Sequence, residues 1–502
     1  MKRTSVSLLA TLVMGLVMAL GKVFFNAPQG AEMLFNFTSR FLGVPWVFNL
    51  IHSLPGNFDS YAKYVLYGVT VLIFLTIWFA LGLSYKSLAA RIGKWGADAW
   101  FVALSVLSIG LVLMPLQGLG VFGLSSSNFF YPPLSAHLWA ALFGLVFALG
   151  LHVLTRLSKN HEAEVDLAKR SSLRKIGGGV LLLAGLSVVG NSIVNAIAKA
   201  QAALDGVFGQ IKGLSPELTS VEDHYQVSKN VFNPNVPEGA WSLKITGMVD
   251  KEITLNLADL KALPSVTRPS TLMCISNEVG GNLIGTSEWT GVKLKDILAM
   301  AGVKEGATEL ILKAADNYSD SFDLDAAMRD GTIVAYLQNG EPLTVDHGFP
   351  ARVLVPGIYG MKNVKWVAEI ELSDQEYQGY WQTRGWSDTA EVQTLSRIDT
   401  REATRLEDGS SAIGGIAFAG IRGISKVEVS LDDGLTWNET DLKPAMNELS
   451  WNLWNYQWQA DPGNYDVQVR ATDGTGQLQD PEVRRPLPDG ATGYHKVNVK
   501  VS

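Results

Sequence analysis

The chain has 502 residues, with 41 Lys and Arg against 48 Asp and Glu and a formal net charge of −7. Only 18% of it is charged while 47% is apolar, and a mean hydropathy of +0.15 is too high for an ordinary soluble enzyme. A single cysteine excludes an internal disulfide, a four-cysteine zinc or iron–sulfur site and a CxxCH haem attachment, and no basic stripe points to nucleic acid.

The apolar excess lies in the first two hundred residues. Five stretches reach the about 20 residues that a bilayer core requires: Ser5–Phe25, Tyr61–Leu83, Ala99–Phe122, Leu134–Leu154 and Ile176–Ala198. A sixth, Phe35–Ile51, is interrupted by Arg40, Gly43 and Pro45 and reads as re-entrant or interfacial. The first reads as an anchor and not a cleaved signal, since no small-residue cleavage site follows it cleanly. Basic residues sit before the first stretch (Lys2, Arg3), between the second and third (Lys86, Arg91, Lys94) and between the fourth and fifth (Arg156, Lys159, Lys169, Arg170, Arg174, Lys175). The loop from Gly123 to Pro133 has none. The positive-inside rule then places the N-terminus in the cytoplasm and everything after Ala200 outside it. His137 and His152 are fifteen positions apart on one stretch, roughly 22 Å along a helix. Two stacked b-type haems would use histidines so placed, with His52 and His161 the other histidines of this half; interfacial histidines in a bundle are the plainer reading.

Residues 201–237 read as a linker, with Gly-Leu-Ser-Pro at 213–216 and Asn-Pro-Asn-Val-Pro at 233–237. Trp241, Leu243 and Ile245 alternate before Gly247, the pattern of a strand with one buried face. Ser270-Thr-Leu-Met-Cys274-Ile-Ser-Asn-Glu-Val-Gly-Gly281 runs from a short strand through Leu272 and Met273 into a turn, so the cysteine stands at a strand end. Leu294, Ile297, Leu298 and Ala301 before Gly302 form an amphipathic helix with a glycine stop, and Asn339-Gly340 marks a hairpin. Strands and helices mix without regular alternation, which predicts an α+β domain. From about Thr400 short alternating strands (Ser425–Leu431; Trp454, Tyr456, Trp458; Tyr465, Val467, Val469) end in turn residues, the pattern of a β-sandwich. Ser430-x-Asp-x-Gly-x-Thr-Trp437 looks like an Asp-box and reads as a plain hairpin turn.

Five blocks in order carry a resemblance: the cysteine segment, Glu288-Trp-Thr-Gly-Val-Lys-Leu294, Asp316-Asn-Tyr318, His347-Gly-Phe-Pro-Ala-Arg352, and Pro356-Gly-Ile-Tyr-Gly-Met-Lys-Asn-Val-Lys-Trp366. From about Trp241 onward, roughly half the chain, the sequence resembles the sulfite oxidase family with its molybdopterin-binding domain. The apolar stretches give a membrane bundle of about five helices (1–200), and the resemblance implies an α+β molybdopterin-binding domain (201–398) and an immunoglobulin-like dimerisation-type sandwich (399–502). It implies that the Cys274 thiolate ligates molybdenum, a soft ligand for a redox-active metal. It places His224, Tyr225, Lys229, Asn230, Ser276, Asn277 and His347 around the pterin. Arg352, Lys362 and Lys365, with Gly357 and Gly360, would hold its phosphate. Tyr318 would line the substrate cavity, and Arg422 matches an arginine entering it. Trp381, Arg384 and Trp386 are a further wall.

One departure concerns substrate: sulfite oxidases carry an arginine just after the Cys-x-x-Asn run, and here Glu278 follows Asn277. The expected function is oxygen-atom transfer on a small-molecule substrate, with electrons exchanged with a cytochrome, a quinone or a haem membrane protein. An S- or N-oxide reductase fed from the quinone pool and a cofactor-less binding module are the alternatives. The expected setting is the lipid of a bacterial inner membrane, with the catalytic half outside and a homodimer as the assembly. Lys169-Arg-Ser-Ser-Leu-Arg-Lys175 looks like the twin-arginine export signal that a preloaded domain needs.

Overall fold

A computed structural model describes residues 3–25, 30–31, 33–34, 59–114, 133–160, 206–230 and 232–502. The stretches Phe35–Ile51 and Ile176–Ala198, the histidines His52 and His161 and the run Lys169–Lys175 lie outside these residues. The chain divides into two compact units: 1–167 with the short segments Ser228–Asn235 and Ala315–Asn317, and the remainder.

The first unit contains α1 (Arg3–Phe25), α2 (Asp59–Leu83), α3 (Tyr85–Ile92), α4 (Lys94–Ser108) and α5 (Pro133–Asn160). Three segments, Thr4–Lys22, Lys94–Leu113 and Ala136–Leu154, are long and apolar enough to cross a membrane; a fourth counts if Tyr67–Leu83 and Tyr85–Ile92, bent by 45°, form one span. On α1, Val6, Ala10, Met14 and Met18 recur every four residues and bury against Trp78, Phe101 and Phe147. Its opposite face exposes Leu8, Leu12, Leu16 and Leu20. A helix apolar on both faces belongs in a core or in lipid. Gly144 brings α5 onto α4, since a Cβ there would lie 3.0 Å from the Val102 Cα, the small-residue contact typical of membrane helices. Beyond Ser108 the helix widens into a π-turn, Ile109–Leu113, where the Met114 amide donates to the carbonyl of Ile109.

A buried polar cluster joins three of these helices. The Tyr85 hydroxyl donates to Asp98 Oδ1 at 2.7 Å, and His152 Nδ1 lies 2.8 Å from Asp98 Oδ2. All three residues are buried. Each carboxylate oxygen thus serves one neighbouring element.

The second unit begins with β1 (Ser242–Gly247), β2 (Ile253–Asn256), α6 (Leu257–Ala262), β3 (Ser265–Met273), β4 (Ile284–Lys293), α7 (Leu294–Ala301), β5 (Glu309–Ala314), β6 (Ser319–Asp323), α8 (Leu324–Ala327), β7 (Ile333–Gln338), β8 (Glu341–Pro342), β9 (Arg352–Leu354) and β10 (Val367–Ser373). One sheet has the order β2-β1-β10-β5-β6, with β1 parallel to β10. The other is β3-β4-β7-β8, with β9 also on β7. Leu243 and Ile245 are fully buried, as the alternation requires, and α7 buries Leu294, Ile297, Leu298 and Ala301. Asn339 and Gly340 both take positive φ between β7 and β8, the backbone of a two-residue hairpin.

The C-terminal part is all β: β11 (Leu395–Ile398), β12 (Thr404–Arg405), β13 (Ser411–Phe418), β14 (Ile424–Ser430), β15 (Asn438–Glu439), β16 (Asp441–Leu442), β17 (Asn452–Trp458), β18 (Gly463–Asp473) and β19 (His495–Val501). Two sheets, β11-β13-β17-β16 and β15-β14-β18-β19, share a core of Ile413, Val427, Trp454, Val467 and Val499. The first strand starts at Leu395, ahead of the Thr400 expected from the pattern. Only four residues long, β11 is fixed by pairing with β13 and not by its own periodicity. The Asp-box is the expected hairpin turn, with Asp432 accepting the Thr436 amide at 2.9 Å.

Replacing Asp98 by alanine strands two buried partners, each at a cost of about 1–3 kcal/mol. Asp98→Ala is therefore expected to melt well below the unaltered full chain in detergent, with Asp98→Asn between the two; equal melting temperatures would remove the cluster from the stability of the bundle.

Candidate functional site

The turn after β3 holds its cysteine by backbone geometry. The Cys274 amide donates to Leu283 O at 2.9 Å, and its carbonyl accepts from the Asn277 amide at 3.0 Å. Asn277 Oδ1 closes the turn by accepting the Leu283 amide at 2.8 Å. The sulfur lies 2.9 Å from Ser276 Oγ. Burial pushes the thiol pKa up, against the opposing pull of the Ser276 hydrogen bonds and the Lys365 charge.

A cluster of rings and one cation packs against Gly285 and Trp289 of the neighbouring strand β4. The His224 ring stacks on Tyr225 at 5.3 Å and stands edge-on to Trp289 at 5.7 Å and His347 at 5.4 Å. Arg352, the first residue of β9, donates to His347 O at 3.2 Å and to Asn363 O at 3.1 Å. Its guanidinium carbon lies 5.3 Å from the Trp289 ring centre. Gly360 lets Tyr225 approach, since a Cβ there would collide with the tyrosine hydroxyl and lie 3.3 Å from Met273 O, one residue before the cysteine.

The electrostatics of this cluster are unbalanced. Arg352 is 5% exposed, and its partners are carbonyls and a ring face, with no carboxylate. Burial lowers its pKa to about 10. Arg352 Nε and His224 Nε2 are both buried without a hydrogen-bond partner. Burial, then the neighbouring positive groups, lowers His224 to about 3; His347 falls to about 4 for the same reasons. A desolvated, uncompensated cation costs several kcal/mol. Two orphaned polar atoms beside it are what an anionic, hydrogen-bonding ligand would satisfy, so the residues fit a pterin phosphate.

Other expected site residues are placed differently. Lys362 is buried in an ion pair with Asp320 Oδ1 at 3.2 Å and also donates to Ser321 O. The Tyr318 hydroxyl lies 2.7 Å from Asp320 Oδ2 and 2.8 Å from Met361 O. Asp320 is thus a hub that sequence reasoning missed; the available signal was a carboxylate in the middle of a buried strand. Lys365 Nζ donates to Val227 O and Asp346 O at 3.0 and 2.9 Å. Lys229 and Asn230 belong to the first unit, where both donate to Asp316: Lys229 Nζ to its carbonyl at 2.8 Å and Asn230 Nδ2 to its Oδ2 at 2.7 Å. Tyr380 joins the aromatic group, lying 5.8 Å from Tyr318 and 4.9 Å from Trp381, with the Arg384 guanidinium 3.6 Å from its ring. Trp386 lies 6.5 Å from Trp381. Arg422 is committed to Asp473 Oδ2 at 2.9 Å, Val392 O at 3.0 Å and Thr394 Oγ1 at 3.2 Å.

Comparison with known proteins bears on this arrangement. Residues 230–381 match the family described as an oxidoreductase molybdopterin binding domain, and 389–502 the Mo-co oxidoreductase dimerisation domain. The chain is 30% identical over 347 residues to the mitochondrial sulfite oxidase of Drosophila melanogaster, covering 57% of this chain and 59% of that one. It is 32% identical to the NADH nitrate reductase of Volvox carteri, over 49% of this chain and 36% of that one. It is 34% identical to the uncharacterized oxidoreductase YuiH of Bacillus subtilis, over 29% of this chain and 72% of that one. The solved structure of the sulfane dehydrogenase SoxCD from Paracoccus pantotrophus shares the fold at TM-score 0.50 and 23% identity, over 58% of this chain and 84% of that one.

The buried histidines make stability pH-dependent. His224, His347 and His495, the last also lowered to about 4 chiefly by burial, sit below the unfolded value of about 6.5. As pH falls through about 6.5 the unfolded chain takes up protons that the folded chain refuses, so stability drops until about pH 4. Urea unfolding of the full chain between pH 7 and pH 4 should show that decline, less steeply in His495→Gln; a flat profile would contradict the burial of neutral imidazoles.

Proposed function

Because the chain belongs to the sulfite oxidase-like family of molybdopterin oxidoreductases, we propose that it is a membrane-anchored enzyme of two-electron oxygen-atom transfer at a molybdenum held by Cys274. Electrons would be exchanged with a separate carrier, a cytochrome or the quinone pool. The observation that carries this reading is the buried, uncompensated Arg352 with the orphaned His224 Nε2, both against Trp289 of β4, the strand paired with the one that ends at Cys274. When bound, the cofactor supplies the Mo(VI)/Mo(IV) couple.

The chain's own residues bind, orient and hold protons. Arg352 would grip the pterin phosphate through its unsatisfied Nε, with His224 Nε2 adding a neutral contact. The thiol of Cys274, kept protonated by burial, must lose its proton to become a ligand. Ser276 Oγ at 2.9 Å is placed to donate to the resulting thiolate, and the Lys365 charge favours it. Asp320, itself neutralised by Lys362, fixes the Tyr318 phenol beside Tyr380.

Three helices long and apolar enough to span, with Lys86, Arg91 and Lys94 gathered between α2 and α4, support an inner-membrane bundle with the catalytic half outside. A b-type haem in that bundle would take His152, whose Nδ1 is oriented by Asp98 and whose Nε2 remains. Pairing through the sandwich would give a homodimer.

Losing a charge-assisted contact worth about 1.5–3 kcal/mol weakens binding roughly 10- to 100-fold. Arg352→Ala should therefore lose most of its molybdenum and pterin, by elemental analysis and pterin fluorescence, whereas Cys274→Ser should keep the pterin, with its two dithiolene sulfurs, and show one metal–sulfur neighbour fewer in X-ray absorption. Full cofactor content in Arg352→Ala, or an unchanged metal shell in Cys274→Ser, would falsify the assignment.

A further inference from the structure

Cys274 stands between β3 and a turn that runs to Gly281, and the C-terminal sandwich holds the chain on both sides of it. Ahead of the cysteine, the segment between β16 and β17 bonds to β3. The Thr271 amide donates to Leu449 O at 2.9 Å, the Trp451 amide to Thr271 Oγ1 at 2.9 Å and Asn447 Nδ2 to Pro269 O at 2.8 Å. After it, Arg397 of β11 donates from Nη1 to Gly281 O at 2.9 Å. The other donors of that guanidinium fix it in place, with Nε on Asp399 Oδ1 at 2.6 Å and Nη2 on Ser215 Oγ at 2.9 Å. Gly280, at φ +75°, has no room for a Cβ, because one would overlap the ring of His495, the first residue of β19. The ring is itself anchored: the Ile398 amide donates to its Nδ1 at 3.0 Å, so the imidazole proton sits on Nε2, the atom nearest that Cβ position. Burial, then the Arg401 and Arg397 charges, lowers its pKa to about 4 and keeps it neutral. An open cleft separates the middle of the turn from the sandwich, lined by Asn277 and Val279 on one side and Ser396, Gln479 and Gly493 on the other. Internal bonds shape the turn; its placement is set at Gly280 and Gly281.

We infer that Arg397 and His495 are positioning residues for the metal ligand: acting from the sandwich, they set where the turn holds the Cys274 sulfur. The inference rests on the reading of Cys274 as a ligand and adds the groups that aim it. A ligand has to be held within about 0.5 Å of its productive position, and a turn bordered by an open cleft does not supply that alone. Arginine suits the task because one rigid fork reaches Gly281 O, Ser215 Oγ and Asp399 together, which an ammonium on a flexible stem does not. Glycine at 280 serves twice, allowing both the left-handed backbone and the close approach of the imidazole. The sandwich, matched to a dimerisation domain, thereby also completes the site of its own chain.

Cys274 is the only cysteine of the chain, so thiol labelling reads its turn alone. Full-length protein made without cofactor is purified in detergent, and iodoacetamide alkylation is timed beside urea unfolding. A buried thiol is labelled through local opening, so the rate reports how firmly the turn is held. Arg397→Lys keeps a cation beside Asp399 and loses the fork. Without the charge-assisted bond to Gly281 O its rate should rise roughly 10- to 100-fold, at a urea midpoint close to that of the unaltered chain. Gly280→Ala should raise the rate more than about tenfold, through backbone strain and overlap with the ring. In a His495→Ala background that increase should be at least about fivefold smaller, because the overlap is gone. In loaded enzyme, Arg397→Lys should keep its pterin and shift the Mo(V) resonance in EPR, which a loss of stability alone leaves in place. Rates unchanged by Arg397→Lys, rates that rise only as far as the urea midpoint falls, a glycine effect that ignores residue 495, or an unmoved resonance each overturn the inference. The labelling is read without metal, so it fails separately from the ligand reading, which falls if loaded protein shows no bond between molybdenum and this sulfur.

Discussion

The guanidinium of Arg352 is buried against the face of Trp289 and held by two backbone carbonyls, with no acid to balance it. A folded chain tolerates this only if many other contacts hold the residue in place. They do: β9 pairs with β7, and Asn363, whose carbonyl accepts from Arg352, is itself pinned through its side chain to the Val355 amide at 2.6 Å. Trp289, Leu272, Ile333 and Leu354 pack as one cluster around these strands. The sheet therefore spends packing energy to keep a charge where water cannot reach it, the arrangement expected of a binding site prepared in advance for an anion.

Three other cations of the second unit are treated in the opposite way. Lys362 is matched by Asp320, Arg422 by Asp473 and Arg397 by Asp399. These pairs tie segments distant in sequence: Lys362 to a strand forty-two residues earlier, Arg422 to one fifty-one residues later. A buried pair adds little net stability, but breaking one leaves a stranded charge. Their role is to fix geometry around the tyrosine and the cleft. Position within the fold, not residue type, separates the cation without a carboxylate from the paired ones.

That distinction explains what could be read from the sequence. The strand before Cys274, the turn after it, helix α7 with its stop at Gly302 and the Asn339-Gly340 hairpin all follow from local periodicity and turn chemistry, and the structure has each of them. The ordered blocks identified the family that comparison with known proteins also finds. Lys362 and Arg352 lie in adjacent blocks and look alike in sequence; which of them meets a carboxylate depends on Asp320, brought over by sheet pairing. Asp98 had no legible partner either, because Tyr85 and His152 reach it from separate helices. Residues on short strands such as β11 were obscure for a related reason, since four residues carry too little pattern to reveal a strand that its neighbour defines.

The π-turn at Ile109–Leu113 has its own consequence. Threading one additional residue through the coil lets Ile109, Leu113 and Met114 all reach the buried side, where they pack with Ala136 and Ala140. An ordinary helix advances about 100° per residue, so excising a single amino acid here would rotate everything beyond it by nearly a third of a circle. The azimuth of the chain leaving α4 is thus encoded in a one-residue surplus, a spot where sequence length matters more than side-chain identity.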